Sequence, residues 1–176
     1  DPFEVKNILK YWALSEKQDF HVIPTDTISI SIDKDAVLRS GIMLPDSIRH
    51  LKGKELKNAM PDKIYISLKD MRILTKVDML MLEMLANCNW ERPLYMAISV
   101  GEVSKLKFDH YFVQEGLAFR FTPFDYKKWG NVKGDNNYAI DVERLYENVM
   151  NRYKNGGLDT PGLYLDETTL RTCYYH

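Results

Sequence analysis

Residues 75–100 are rich in apolar side chains, and two hydrophobic periods follow each other there. Up to Cys88 the apolar side chains recur at intervals of three and four residues, which predicts a helix buried on most of its sides. Residues 94–100 alternate between apolar and mixed side chains, which predicts a strand. Pro93 disfavours helix at the residue before it, so the helix should end near Trp90. The predicted buried stripe of this helix consists of Val77, Leu80, Met81, Met84, Leu85 and Cys88.

Alternation and capping residues predict the other elements of the chain. A period of two predicts further strands, and helical spacing between capping residues predicts further helices. The patterns are weakest in residues 34–60 and 101–115. The predicted strands are residues 27–33, 64–68 and 117–121. The predicted helices are residues 1–15, 34–40, 46–58 and 142–155, the last with Val142, Leu145, Tyr146, Val149 and Tyr153 on one stripe after an N-cap at Asp141.

The central helix and the strands on either side of it predict the topology. A strand, a helix and a strand of this length should form a right-handed crossover between parallel strands. The expected fold class is α/β, with a mixed, partly parallel sheet of about four strands, a central βαβ crossover and flanking helices. We expect one soluble domain, with an N-terminal helix and linker in residues 1–20, a core in residues 21–160 and the start of a truncated helix in residues 161–176. The first residue is Asp1 rather than Met, so we expect a fragment of a longer protein.

Charge, hydropathy and cysteine content argue against several classes of protein. Lysine and arginine total 24 against 25 aspartates and glutamates, so no basic field is available to bind nucleic acid. No apolar run approaches the roughly 18 to 20 residues that cross a bilayer. Cys88 and Cys173 are too few for a disulfide framework. Because Cys88 lies on the predicted buried stripe, a bond between the two is not expected.

The sequence offers little catalytic chemistry. Its four histidines lie in separate segments without the spacing of metal ligands, so neither a metal nor a cofactor is expected. Asp109, His110 and Tyr111 could supply a base with an orienting partner, as in a freestanding sugar- or small-molecule-binding enzyme. An ordinary surface histidine is the more common origin of such a triplet.

A second candidate is the polar face of the predicted strands. Sheets buried on both faces read as continuous Val, Ile and Leu, so this face should be partly solvated or closely covered by small side chains, and it is the extended surface expected to serve recognition. Lys128 and Trp129 resemble a basic and aromatic loop tip that can stack on a sugar or touch a membrane. A protein-interaction module would instead show an exposed apolar patch near this tip or near the chain ends. The predicted binding surface consists of Tyr65, Tyr95, Arg120, Lys128 and Trp129.

Three sequence blocks carry a family resemblance. They are LTKVDMLMLEMLANCNWERPLYMAISV at residues 74–100, FDHYFVQEGLAFRFTPF at residues 108–124 and GLYLDETTLR at residues 162–171. In order and spacing they resemble the soluble C-terminal part of the Bacteroidetes membrane proteins of the domain of unknown function 2723 family. The block from the helix through Asn-Trp-x-Arg-Pro to the strand is the most specific of the three.

The resemblance implies a parent with a multi-pass membrane half, similar to protein O-mannosyltransferases, which transfer sugar from a lipid-linked donor to an acceptor protein. The catalytic acids of those enzymes belong to the membrane half, so none is carried onto this chain. The expected function is a non-catalytic extracytoplasmic accessory domain on the periplasmic side, tethered to the inner membrane. Its expected partners are that membrane half and an acceptor protein or glycan. Residues with expected structural roles are Asn87, Asn89, Trp90, Arg92 and Pro93.

Overall fold

The computed structural model describes residues 4–8, 10, 26–69, 76–98, 109–132 and 138–154. Helices and short strands alternate along these ranges. The helices are α1 (Val5–Ile8), α2 (Lys34–Arg39), α3 (Gly53–Ala59), α4 (Lys76–Asn87) and α5 (Val142–Glu147), with a 3-10 turn at Asp109–Tyr111 and a π-helical turn at Asn148–Arg152. The strands are β1 (Thr27–Ser31), β2 (Lys63–Ser67), β3 (Tyr95–Ala97), β4 (Phe112–Gln114), β5 (Ala118–Phe121) and β6 (Ala139–Ile140).

Strands β1 and β2 form an antiparallel two-stranded sheet. Ile28 pairs with Ile66 and Ile30 with Ile64, and all four side chains are buried. Helices α1 and α4 pack near β1 and close one side of this core. The apolar alternation in the sequence therefore corresponds to a buried aliphatic sheet face, as predicted.

The other four strands form a mixed sheet in the order β3-β5-β4-β6. Strands β3 and β4 both run antiparallel to β5, whereas β6 is parallel to β4. This arrangement confirms the expected α/β class and the mixed sheet of four strands. Gly116 lies in the tight connection between β4 and β5, with φ of 129°, and a Cβ there would overlap the Tyr153 hydroxyl. The turn therefore requires glycine.

The predicted βαβ crossover is wrong. Strand β2 pairs with β1 in one sheet and β3 pairs with β5 in the other, so α4 connects two different sheets. A period of two shows that a strand is half-buried, but it contains no information about the neighbouring strand. Two strands of the larger sheet, β4 and β6, were not predicted, because they are only two or three residues long and, unlike β3, do not lie in a longer alternating segment.

The central helix is confirmed at Lys76–Asn87, but its predicted buried face is only partly correct. Leu80 and Met84 are 58% and 52% exposed, whereas Leu82, Leu85 and Ala86 are buried. Asp78 is buried on the same side as these three. Because this helix is apolar on nearly every side, its spacing could not select the face that packs, and the prediction of burial on most sides was wrong.

The other predicted helices agree with the structure to different extents. Helix α2 is confirmed, with Asp33 accepting a hydrogen bond from the Ala36 amide at 3.0 Å. The helix predicted at residues 46–58 is shorter, because turns occupy residues 46–50 and α3 starts at Gly53. No residue of α5 is buried, and Val142, Tyr146, Val149 and Tyr153 of the predicted stripe are exposed. Most of the N-terminal helix, the linker and the C-terminal helix lie outside the described residues.

The described helices include none that is long and apolar enough to span a bilayer.

Candidate functional site

The segment after α4 joins the two sheets. Asn89 and Trp90 have φ of 49° and 62°, so the chain leaves the helix through left-handed residues, and Asn87 is still helical. Trp90 is 4% exposed; its Nε1 donates to the Ser31 carbonyl of β1 at 3.0 Å, and its ring stacks on Phe121 of β5 at 5.6 Å. Trp90 therefore contacts both sheets at once.

The next two residues of this motif lie at the surface. The side chains of Arg92 and Pro93 are exposed, and Arg92 has no ion-pair partner in the described part of the chain. Both residues line, with Trp90 and Arg120, a cavity of about 10 Å³. That volume holds about one water molecule, so it is too small for a substrate.

The triplet Asp109, His110 and Tyr111 forms the 3-10 turn before β4. Asp109 is exposed, His110 is half-buried and Tyr111 is buried, so the three side chains lie in different environments. His110 Nε2 is 3.6 Å from Asp125 Oδ2, which is beyond hydrogen-bond length. Burial, with a smaller effect from the Asp125 charge, raises the pKa of Tyr111 to about 12.

Asp125, the acidic neighbour of His110, is already engaged by another residue. Its Oδ1 accepts from the Lys128 amide at 3.1 Å, and its Oδ2 is 3.3 Å from Lys128 Nζ. Lys128 therefore holds this carboxylate at the start of a turn. The cavity beside Trp90 and the two clefts described below do not include the triplet in their linings.

The structure brings together only part of the predicted binding surface. Tyr65 is exposed on the two-stranded sheet, whereas Tyr95 and Arg120 face each other as partners in β3 and β5. Lys128 and Trp129 lie in the turn after Pro123, where the half-buried Trp129 ring packs edge-on against Phe124 at 6.2 Å. The five residues therefore occupy three separate places. Of these, Tyr95 and Arg120 belong to the site described next.

Tyr95 and Arg120 meet at a buried carboxylate, Glu115. This residue lies between β4 and β5 and is 4% exposed. Its Oε2 accepts from the Tyr95 hydroxyl at 2.8 Å. Its Oε1 lies 3.0 Å from Arg144 Nη1 and 3.5 Å from Arg120 Nη1. Both oxygens of Glu115 are thus occupied by side chains from three different elements.

The two arginines extend this cluster to the end of α2. Arg120, 2% exposed, donates from Nη2 to the Ser40 carbonyl at 2.7 Å, and Arg144 Nη2 donates to the Gly41 carbonyl. Asp141 holds Arg144 in place, because its Oδ1 accepts from the Arg144 amide at 3.1 Å and its Oδ2 lies 3.6 Å from Arg144 Nε. The buried Nε of Arg120 has no partner among the described residues.

One side of this cluster opens into a cleft of about 360 Å³, here called the Glu115 cleft. Burial, and then the hydrogen bond to Glu115, raises the pKa of Tyr95. At the end of α5, the Asn151 amide and then Arg152 hold the pKa of Glu147 below its usual range. The cleft is lined by Tyr95, Glu115, Arg144, Glu147, Asn148 and Arg152.

A second cleft, of about 250 Å³, lies where α1 and β1 meet the end of α4. Lys6 Nζ donates to Asn89 Oδ1 across it at 3.2 Å, and Glu4 and Asp33 also line it. Within the described ranges, no group of three or more His, Cys, Asp or Glu side chains could hold a metal ion. Cys88 is a free thiol, and burial raises its pKa.

Sequence reasoning missed Glu115 and Arg144. It also missed the other cleft residues Glu147, Asn148 and Arg152. Glu115 and Arg120 are five positions apart in a hairpin, and Arg144 follows 29 positions after Glu115. No motif has that spacing, because the residues meet only through strand pairing and helix docking. The single available signal was the N-cap at Asp141, which fixes where Arg144 enters the first turn of α5.

Comparison with known proteins identifies a family. No curated protein and no solved structure matches the chain significantly. A family model, TMEM260-associated domain 2, matches residues 3–143. This match supports the coarser part of the expected resemblance, a TMEM260-like domain related to protein O-mannosyltransferases, and does not support the domain of unknown function 2723 family. Since the match covers most of its 176 residues, the chain belongs to the TMEM260-associated domain 2 family.

Proposed function

We propose that this chain is a non-catalytic, extracytoplasmic accessory domain of a membrane-embedded glycosyltransferase-like protein, which it stabilises or to which it recruits the acceptor. Family membership supports the association with such a protein. The proposed partners are the membrane-embedded half of the same polypeptide and an acceptor protein or glycan, with neither nucleic acid nor metal involved. The proposed location is the periplasmic side of the inner membrane.

The main observation in favour of a non-catalytic role is the set of contacts made by the Glu115 carboxylate. A general base needs a free carboxylate oxygen within hydrogen-bond reach of the proton that it removes. Both oxygens of Glu115 are instead occupied, by Tyr95 on one side and by Arg144 and Arg120 on the other. The contacts of both arginines with main-chain carbonyls fix this geometry. The carboxylate therefore fixes the arrangement of the elements around it and is poorly placed to move a proton.

The test uses the full-length protein in membranes and compares Glu147→Gln with Glu143→Gln. Glu147 is the more accessible carboxylate of the cleft, and Glu143 is exposed on the same helix without lining the cleft. An accessory role predicts that both variants keep the wild-type rate of sugar transfer at saturating acceptor, where weaker recruitment no longer limits the rate. A catalytic role predicts that Glu147→Gln alone lowers the rate by about 10²- to 10⁴-fold.

Deletion of the domain supplies the second half of this test. We expect deletion to lower the amount of folded membrane protein or the extent of acceptor modification. Transfer or hydrolysis of sugar by the purified 176-residue chain would contradict the proposal and favour a freestanding enzyme.

A protein-interaction module is the second candidate, and the exposed side of α5 and of the π-helical segment that follows it favours it. Large apolar side chains lie there in solvent at helical spacing, and such exposed patches commonly mark contact surfaces. In this version the partner is the membrane-embedded half, and Tyr146→Lys should release the domain from it when the two are expressed as separate chains. Retained association would exclude this surface. The exposed side chains are Val142, Tyr146, Val149, Met150 and Tyr153.

A further inference from the structure

We propose that the Glu115 cleft binds a neutral, polyhydroxylated ligand of the saccharide class. This inference rests on the proposed function, because the saccharide would belong to the acceptor that the domain recruits. The volume of about 360 Å³ falls within the range of about 300 to 1,000 Å³ typical of small-molecule sites. All six lining residues are polar or amphipathic, so the cleft offers little contact to a lipid chain.

Charge balance in the lining selects against ions. The carboxylates of Glu115 and Glu147 are matched by the guanidinium groups of Arg144 and Arg152. A phosphate site concentrates positive charge, and a site for a hard cation concentrates oxygen ligands of negative charge. The Glu115 cleft does neither, so its field favours a neutral ligand with strong hydrogen-bonding groups.

Donors and acceptors with remaining capacity lie side by side in the cleft. Arg152 reaches Glu147 through Nε at 3.4 Å, and its two terminal nitrogens have no partner within the described ranges. Asn148 donates from Nδ2 to the Glu115 carbonyl, which leaves its Oδ1 without a described partner. A sugar hydroxyl both donates and accepts hydrogen bonds. Neighbouring hydroxyls on a ring can therefore bind to the donors of Arg152 and to the acceptor of Asn148 together.

Tyr95 provides the apolar part of the site. Its side chain is half-exposed, while its hydroxyl is fixed by Glu115 at 2.8 Å. A tyrosine ring held in this way offers rigid amphipathic contact area for the C–H face of a sugar at a low entropic cost. Because the Glu115 cluster is already ordered in the folded chain, ligand binding would not have to order it.

The experiment titrates the 176-residue chain with methyl α-mannopyranoside, methyl β-glucopyranoside or inorganic phosphate, and follows the tyrosine ring resonances by NMR. We expect at least one glycoside to bind with a dissociation constant on the order of millimolar, and phosphate not to bind. Arg152→Ala and Tyr95→Ala should each weaken glycoside binding by about tenfold, the loss of one charge-assisted hydrogen bond or one ring contact.

The matched control is Lys154→Ala, which removes an exposed positive charge two residues beyond Arg152, outside the lining of the cleft. It should leave glycoside affinity unchanged. Absence of glycoside binding up to about 50 mM, tighter binding of phosphate, or equal affinity in Arg152→Ala and wild type would overturn the saccharide site. If deletion of the domain still impairs the full-length protein in that case, the accessory function stands and only the ligand assignment fails.

Discussion

The two sheets of this protein place their charges differently. In the two-stranded unit, formed by β1 and β2 with α1, α2 and α4, the ion pair of Lys34 with Asp62 lies at the surface; the two charged atoms are 2.7 Å apart, and Asp62 is 88% exposed. In the four-stranded unit, formed by β3 to β6 with α5, Glu115 and Arg120 are paired almost without solvent. Buried pairs add little net stability, but breaking one is costly. The polar cluster therefore specifies the arrangement of the second unit more than it stabilises the fold.

Loss of the contact between the two units should have the largest effect. Trp90→Ala removes a buried ring that stacks on Phe121 and a hydrogen bond to Ser31, so we expect a loss of about 3 to 5 kcal/mol in the free energy of unfolding. Denaturant unfolding measures it. Trp129→Ala, which truncates a half-buried tryptophan, should cost less. An unchanged melting midpoint for Trp90→Ala would refute the bridging role.

Removing the negative charge from one ion pair in each unit tests whether a buried pair and an exposed pair differ in their effect on stability. Glu115→Gln keeps the shape of the side chain but leaves Arg120 buried without a counter-charge, so it should destabilise the protein by about 3 kcal/mol. Asp62→Asn breaks an exposed pair and should change stability by less than about 1 kcal/mol. Chemical denaturation of both variants gives the two values. Equal effects would mean that burial does not distinguish the pairs.

Raising the pH above 10 should destabilise the four-stranded unit, because the buried phenol of Tyr111 resists losing its proton in the folded state. Its pKa is about 12 in the folded state, against an ordinary value near 10. Between these values the unfolded chain loses the phenolic proton first, so stability present below pH 10 falls as the pH rises, by about 2 to 3 kcal/mol in total. Unfolding measured from pH 9 to 12 should show a shallower decline in Tyr111→Phe. An identical decline in both proteins would show that Tyr111 does not contribute.

Replacing the two N-cap residues should give the smallest losses of stability, and the two substitutions are chemically identical. Asp33 caps α2 beside the two-stranded unit, and Asp141 caps α5 in the four-stranded unit. Replacement of either by Ala should cost about 1 kcal/mol. Asp141→Ala should cost more than Asp33→Ala, since Asp141 also holds Arg144 beside Glu115. Thermal unfolding of the two variants ranks them, and the reverse order would show that Arg144 does not depend on its cap.

Predictions from sequence succeeded where the signal was local. The alternation around Ile28 and Ile64 correctly predicted β1 and β2, and the N-cap at Asp141 correctly predicted where α5 begins. They failed for the pairing of β2 and β3 and for the packed face of α4. In the first case the pattern is the same whichever strand is the partner, and in the second it is nearly uniform around the helix.

The sequence by itself therefore determined β1, β2, β3 and β5, the helices α2, α4 and α5 and the α/β class, whereas the family came from the match to a family model. Only the tertiary structure decided that α4 leads from one sheet to another, that Trp90 lies between them and that Glu115 collects Tyr95, Arg120 and Arg144. The physical reason is the separation along the chain over which each interaction acts. Periodicity and capping act within a few residues, whereas pairing of strands and charges depends on which distant segments come together in space.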